Sequence, residues 1–243
     1  MNFFAYGANA GGVHVSGGDV DLDGHEELLT APGPVGSFPP QVRGWNYDGA
    51  NVSAIQKINF YAYNGVGWGG RVGAGDIDGD GYAEILTGPG PGAAYPTNVR
   101  SFNYDGNQVA WWHNFYAFYN GTFGASVAGG DTDGDGADEI VVTHGPDPYS
   151  AQNARGFNAA PLVLDWQFTA FGGGGGAEVA VGDLISGGAD EVLMGQGWGL
   201  PNPAEVRGFR IVGGGASPIA GLDFLAYWNN PYGVKVAVGD LGI

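Results

Sequence analysis

The 243-residue chain contains no cysteine. Disulfides, thiolate catalysis and a Cys-based zinc site are therefore excluded. Basic residues are scarce: 8 Lys and Arg face 25 Asp and Glu, for a formal net charge of −17. That balance argues against nucleic acid and anionic membranes as partners. No apolar run approaches the ~18 residues of a membrane span, so no membrane insertion is expected. The opening MNFFAYG has neither a basic n-region nor an apolar h-region, and no signal peptide is read there. Enzyme signatures are missing as well. Neither HExxH nor GxSxG occurs, and the GxGxxA-like stretch from Gly172 to Ala177 leads into a strand pattern, not a helix. His14, His25, His113 and His144 lack ligand spacing and read as surface or turn histidines.

What the chain has in excess is glycine, 49 residues, with 14 prolines. In an unpatterned chain this would indicate low complexity. Here 44% hydrophobic and 13% aromatic residues supply a core, and the glycines recur at fixed places as turn and close-packing residues. The acidity is also localised. Of 25 acidic residues, 14 lie in three short stretches, and the rest of the chain is nearly neutral.

Those stretches are Asp19 to Glu27 (DVDLDGHEE), Asp76 to Glu84 (DIDGDGYAE) and Asp131 to Glu139 (DTDGDGADE). Each places acids at positions 1, 3, 5 and 9 and glycine at 6. A single Asp-rich turn is usually only a solvated turn, but three in register are not. Hard divalent cations prefer oxygen ligands, and such a loop can wrap Ca²⁺ at about 2.3–2.6 Å through four carboxylates and the carbonyl at position 7. The predicted metal ligands are Asp19, Asp21, Asp23, the His25 carbonyl and Glu27; Asp76, Asp78, Asp80, the Tyr82 carbonyl and Glu84; and Asp131, Asp133, Asp135, the Ala137 carbonyl and Glu139. A fourth stretch, Asp183 to Glu191 (DLISGGADE), has Ile185 and Gly187 where two ligands belong. It is expected to fold alike and bind no calcium. Three Ca²⁺ would bring the net charge to about −11.

The loop-opening aspartates, Asp19, Asp76, Asp131, Asp183 and Asp240, are 57, 55, 52 and 57 residues apart. Before each comes an aromatic-x-Ala-aromatic signature, at Phe4-Ala5-Tyr6, Phe60 to Tyr63, Phe115 to Phe118, Phe168 to Phe171 and Phe224 to Tyr227. Within one unit four strands are predicted, at 71–75, 84–88, 98–104 and 109–118. Asp48-Gly49 and Asp105-Gly106 signal two-residue hairpins between the third and fourth. Four antiparallel strands per ~50-residue repeat predict an all-β fold, a β-propeller of four-stranded antiparallel blades. The domain is read as single over 1–243, with units at about 7–63, 64–118, 119–171 and 172–227 and a partial unit at 228–243. A lone fourth strand at 2–6 and a lone first strand at 234–240 flank four complete blades. The expectation is an arc of a larger ring, completed by further sequence or by a second chain. Trp45, Trp111, Trp112 and Trp166 are assigned to packing, and Arg43, Arg100, Arg155 and Arg207, at one site in the third strand, to carboxylate pairing.

The unit GDIDGDGYAEILTGPGPG, preceded by FYAYNGVGWGG and followed by NVRSFNYDG, resembles the FG-GAP or VCBS repeat of integrin α-subunit propellers and their bacterial and fungal relatives. The likeness covers nearly the whole chain; position 9 departs from it, being Glu where Asp is usual. It implies calcium loops joining the first and second strands of each blade, and partners engaged by the loops at the other end. There the second-to-third-strand loops carry Phe38, Tyr95, Tyr149 and Trp198, candidate ligand-binding aromatics for a protein or glycan. The sequence thus predicts a non-catalytic, extracellular or cell-surface calcium propeller for recognition, adhesion or assembly. A lectin and a non-catalytic module of a larger secreted enzyme are the alternatives. Calcium loops of modest affinity suit a secreted protein.

Overall fold

A computed structural model describes residues 2–7, 11–65, 67–199, 203–228 and 232–239. The fold is all-β and of the propeller class, with no helix among the described residues. Blade 1 comprises β1 (Val13–Gly18), β2 (Glu27–Pro32), β3 (Gln41–Tyr47) and β4 (Val52–Tyr61). Blade 2 comprises β5 (Gly70–Gly75), β6 (Glu84–Pro89), β7 (Asn98–Tyr104) and β8 (Val109–Tyr116). Blade 3 holds β9 (Ala125–Gly130), β10 (Glu139–His144), β11 (Gln152–Ala159) and β12 (Leu162–Phe171). Blade 4 holds β13 (Ala177–Gly182), β14 (Glu191–Gln196), β15 (Ala204–Val212) and β16 (Gly215–Tyr227). In every blade the strands lie side by side in chain order. By internal contacts the chain forms two compact units, one holding β1–β8 and the other β10–β16.

Burial follows position in the blade. The second strands are the most enclosed: every residue of β6 (EILTGP) and β10 (EIVVTH) is buried. Fourth strands such as β8 and β12 keep most side chains at least partly in water. In the first unit Leu29, Val42, Ile58, Ile85 and Phe102 join blades 1 and 2 in one core. In the second, Trp166, Phe171, Val192, Met194 and Phe209 join blades 3 and 4. Each fully buried aliphatic side chain contributes about 1.5–3 kcal/mol over an exposed one. Gly156 of β11 is required by this packing, because a Cβ there would overlap the Trp166 indole.

In three of its copies, those ending at Tyr6, Tyr63 and Phe171, the repeated signature forms a latch onto the next blade. Tyr63 is buried, its hydroxyl 2.8 Å from the carbonyls of Thr87 and Asn98 in the next blade. Tyr6 does the same to Thr30 and Gln41, at 2.6 and 2.7 Å. Arg43, Arg100 and Arg207 complete the latch, which corrects the carboxylate pairing expected of Arg43 and Arg100. Arg100 Nη1 donates to the Ala62 carbonyl at 2.7 Å, with its guanidinium 4.7 Å from the Tyr63 ring centre. Arg43 makes the same pair of contacts to Ala5 and Tyr6, and Arg207 to Ala170 and Phe171. Arg207 also reaches a carboxylate, Glu205, at 2.7 Å, and Arg155 donates to Gln167 at 3.1 Å. A guanidinium both stacks and donates in plane, so ring and carbonyl together satisfy it.

Other expectations are corrected too. The Asp-Gly turns are not two-residue hairpins. Tyr47 pairs with Val52 across a four-residue loop, where Asp48 Oδ1 accepts from the Ala50 and Asn51 N–H groups at 2.9 and 2.6 Å. Asp105 caps the equivalent loop of blade 2. The two-residue turn with both φ positive lies instead at Gly213-Gly214. Residues 2–7 and 232–239 form no strand, although Val234 N–H donates to Gln196 at 3.0 Å; Asp240 lies outside the described residues. Trp111 is 67% exposed, while Trp166 is buried. His113 and His144 are not surface histidines but buried strand residues, His113 held 2.8 Å from Ser101 Oγ. Burial drives the His144 pKa down to about 4.

Candidate metal centres

The three acidic stretches are the loops from first to second strand, β1–β2, β5–β6 and β9–β10. Glycine at position 6 takes the left-handed conformation a bulkier residue would resist, with φ of 86° at Gly24, 96° at Gly81 and 96° at Gly136. The turn reverses the chain so that position 9 returns beneath position 1. Asp19 then closes the loop on itself, its carboxylate accepting from the Asp23 and Gly24 N–H groups at 3.2 and 3.0 Å. Asp76 accepts from Asp80 and Gly81 in the same way, and Asp131 from Gly134, Asp135 and Gly136.

Each loop thereby gathers the carboxylates of positions 1, 3 and 9. Asp19, Asp21 and Glu27 bring ligand atoms within 4.8 Å of one another, as do Asp76, Asp78 and Glu84, and Asp131, Asp133 and Glu139. The acids at position 5 stand outside these triads. Asp23, Asp80 and Asp135 each turn one oxygen to the N–H of position 7, at 2.9, 2.9 and 3.0 Å. That bond involves the amides of His25, Tyr82 and Ala137, the residues whose carbonyls the spacing nominates.

Electrostatics set these triads apart from ordinary surface acids. Glu27, Glu84 and Glu139 are all buried. Burial, reinforced by Asp21 and only partly offset by the Val20 N–H, pushes the Glu27 pKa up to about 7. Burial does the same to Glu139, also to about 7, against hydrogen bonds from Thr132. Asp21 and Asp133 are raised as well, by burial first and then by neighbouring carboxylates. Such groups hold their protons to higher pH than free carboxyls, and a nearby positive charge would reverse that. The donor set is all oxygen, and Asp21 Oδ1 is buried without a hydrogen-bond partner. A hard divalent cation fits both facts. It would be held by positions 1, 3 and 9 and would neutralise the charge they share.

The fourth loop keeps the frame. Gly188 at position 6 has φ 89°, and Glu191 accepts from the Leu184 N–H at 3.0 Å, as Glu27 does from Val20 at 3.1 Å. Neighbouring loops are also tied together. The Ala83 N–H donates to the Asp19 carbonyl at 2.9 Å, and the Asp190 N–H to the Asp131 carbonyl at 2.7 Å.

At the other end of the blades the four predicted aromatics divide. Phe38 and Tyr95 are half-buried, and Tyr95 anchors its loop by accepting from the Gly67 N–H at 2.8 Å. Tyr149 and Trp198 are exposed. Trp68 and Phe123, which the sequence reading passed over, wall a pocket of about 430 Å³ with Pro91 and Tyr95. Both adopt positive φ, 64° and 63°, uncommon for bulky side chains. The signal available in the sequence was their place before Gly69 and Gly124, at the start of β5 and β9. No protein-family model matches the sequence, and no curated protein matches it.

Proposed function

We propose that this chain is a non-catalytic recognition propeller of the FG-GAP/VCBS type, working outside the cell or at its surface. Ca²⁺ in the three acidic loops stiffens the blades, and the opposite loops engage a protein partner in adhesion or assembly. The observation that carries this is the threefold recurrence of one carboxylate triad built around a buried glutamate. Calcium is favoured over magnesium because the loops offer many flexible oxygen donors, and magnesium demands near-ideal octahedral geometry. Rigidity is the role assigned to the metal, since the loops lie at strand junctions and hydrogen-bond to one another. Titration calorimetry with CaCl₂ is expected to give three sites, and chelator to lower the melting temperature. No binding and an unchanged melt would overturn the reading.

A glycan ligand is the second reading, and the Trp68–Tyr95–Phe123 pocket favours it. Aromatic faces suit the C–H surface of a sugar ring, and backbone strain at Trp68 and Phe123 is of the kind concentrated at ligand sites. A glycan array on the calcium-loaded chain, with W68A alongside, separates the two readings. Sugar binding lost in W68A selects the lectin, and a blank array the protein partner.

A further inference from the structure

All four blades bury a glutamate at position 9: Glu27, Glu84, Glu139 and Glu191. An ionised carboxylate out of water needs a counter-charge. In blade 4 that charge is visible. Arg210 places Nη2 at 2.7 Å and Nε at 3.1 Å from Glu191 Oε1, while Glu191 Oε2 accepts from the Leu184 and Ile185 N–H groups at 3.0 and 2.9 Å. The arginine thus does in blade 4 what a bound cation would do elsewhere.

The third strands show where this arginine comes from. Val192 pairs with Phe209, so the next step along the ladder sets Glu191 opposite Arg210. Leu28 pairs with Trp45, Ile85 with Phe102 and Ile140 with Phe157. The same step sets Glu27, Glu84 and Glu139 opposite Asn46, Asn103 and Asn158. Three blades with full acidic loops therefore carry asparagine where the blade with Ile185 and Gly187 in its loop carries arginine. Asparagine is neutral and short, and its amide offers an acceptor oxygen with two N–H donors where arginine has five donors and no acceptor. In blade 1 that oxygen, Asn46 Oδ1, is buried with no hydrogen-bond partner, as is Asp21 Oδ1 of the same loop.

We infer that this third-strand residue decides how each blade neutralises its buried glutamate: asparagine admits a divalent cation, and Arg210 is a built-in replacement for one. The inference rests on the metal reading above and adds to it a specificity-determining position outside the loop. A guanidinium at Asn46 would reach Glu27 and occupy the space and charge the cation needs.

Three measurements on the full chain test it. Wild-type calorimetry with CaCl₂ comes first, because absence of binding there removes the metal reading itself. N46R is then expected to reduce the stoichiometry from three to two and to shrink the chelator-induced fall in melting temperature by about a third; N158R should do the same in blade 3, and N46Q should keep three sites. Three sites in a folded N46R or N158R would overturn the inference and leave the metal reading standing. The third arm needs no metal. In excess chelator R210N should melt well below wild type, and adding E191Q should restore most of the loss. An R210N melt equal to wild type, or no rescue by E191Q, would refute the role assigned to Arg210.

Discussion

Tyr63 shows how much of an interblade contact one side chain can organise. Its ring lies under Arg100, and its single hydroxyl proton faces two carbonyls of the neighbouring blade at 2.8 Å. Burial raises its pKa well above the usual phenol value, against the opposing pull of Thr87 and Arg100, so it stays a donor across the stable range. Tyr63→Phe keeps the ring and removes the proton, leaving buried carbonyls short of a donor. The expected loss is about 1–2 kcal/mol, read as a lower urea midpoint with an unchanged slope. The spacing of the signature and of the arginines was legible in the sequence, but their mutual contact was not. Arg43 and Arg100 bond to the carbonyls of Ala5 and Ala62, and a backbone acceptor leaves no mark in the residue type. The adjacent Trp111 and Trp112 were both assigned to packing, but alternation along a strand sends one of two neighbours outward, and that one is Trp111.

At the scale of the loop, spacing alone located the three triads, because positions 1, 3 and 9 are brought together by a local turn fixed by glycine. Position 5 stands outside the triads because an aspartate two residues before an amide also serves as a turn cap. The Asp48 and Asp105 turns show the same competition: the carboxylate captures two amides and lengthens the hairpin. Arg210 escaped notice because its partner Glu191 is 19 residues away and is joined to it only by strand register. The raised glutamates give the loops a pH signature. With chelator present, folded Glu27 and Glu139 titrate near 7 rather than near 4.5. The folded state then binds more protons than the unfolded, so this stabilisation is full below pH 4.5 and is lost as pH rises through 7. Metal binding requires the ionised carboxylates and strengthens over the same interval. The gap in melting temperature between calcium-loaded and chelated protein should therefore be small at pH 5 and wide at pH 8. A gap independent of pH would show that these glutamates are not the linked groups.

Over the whole chain, the blade repeat was legible because one signature recurs five times, whereas the fate of each copy depends on what stands next to it. Phe60 packs on Phe102 at 4.6 Å between ring centres, and Phe168 on Phe209 at 4.6 Å, each ring reaching the third strand of the following blade. Tyr6, Tyr63 and Phe171 are buried under such third-strand contacts, but Tyr227 on β16 is 60% exposed and Phe224 45%. The fifth copy thus presents the apolar half of a latch whose other half is a third-strand arginine with a second-strand threonine carbonyl. Blade 1 carries that half in Arg43 and Thr30, where Phe3 and Tyr6 sit, Phe3 4.8 Å from Trp45. Phe224 to Tyr227 of one molecule and Phe3 to Tyr6 of another are consequently rivals for the same seat. Removing residues 1–7 should vacate it and drive self-association that rises with protein concentration in sedimentation velocity. Phe224→Asp with Tyr227→Asp in the shortened chain should abolish that association by placing carboxylates in an apolar contact. A shortened chain that stays monomeric at every concentration would mean the latch closes only within one chain, and the exposed rings of β16 would then need a different partner.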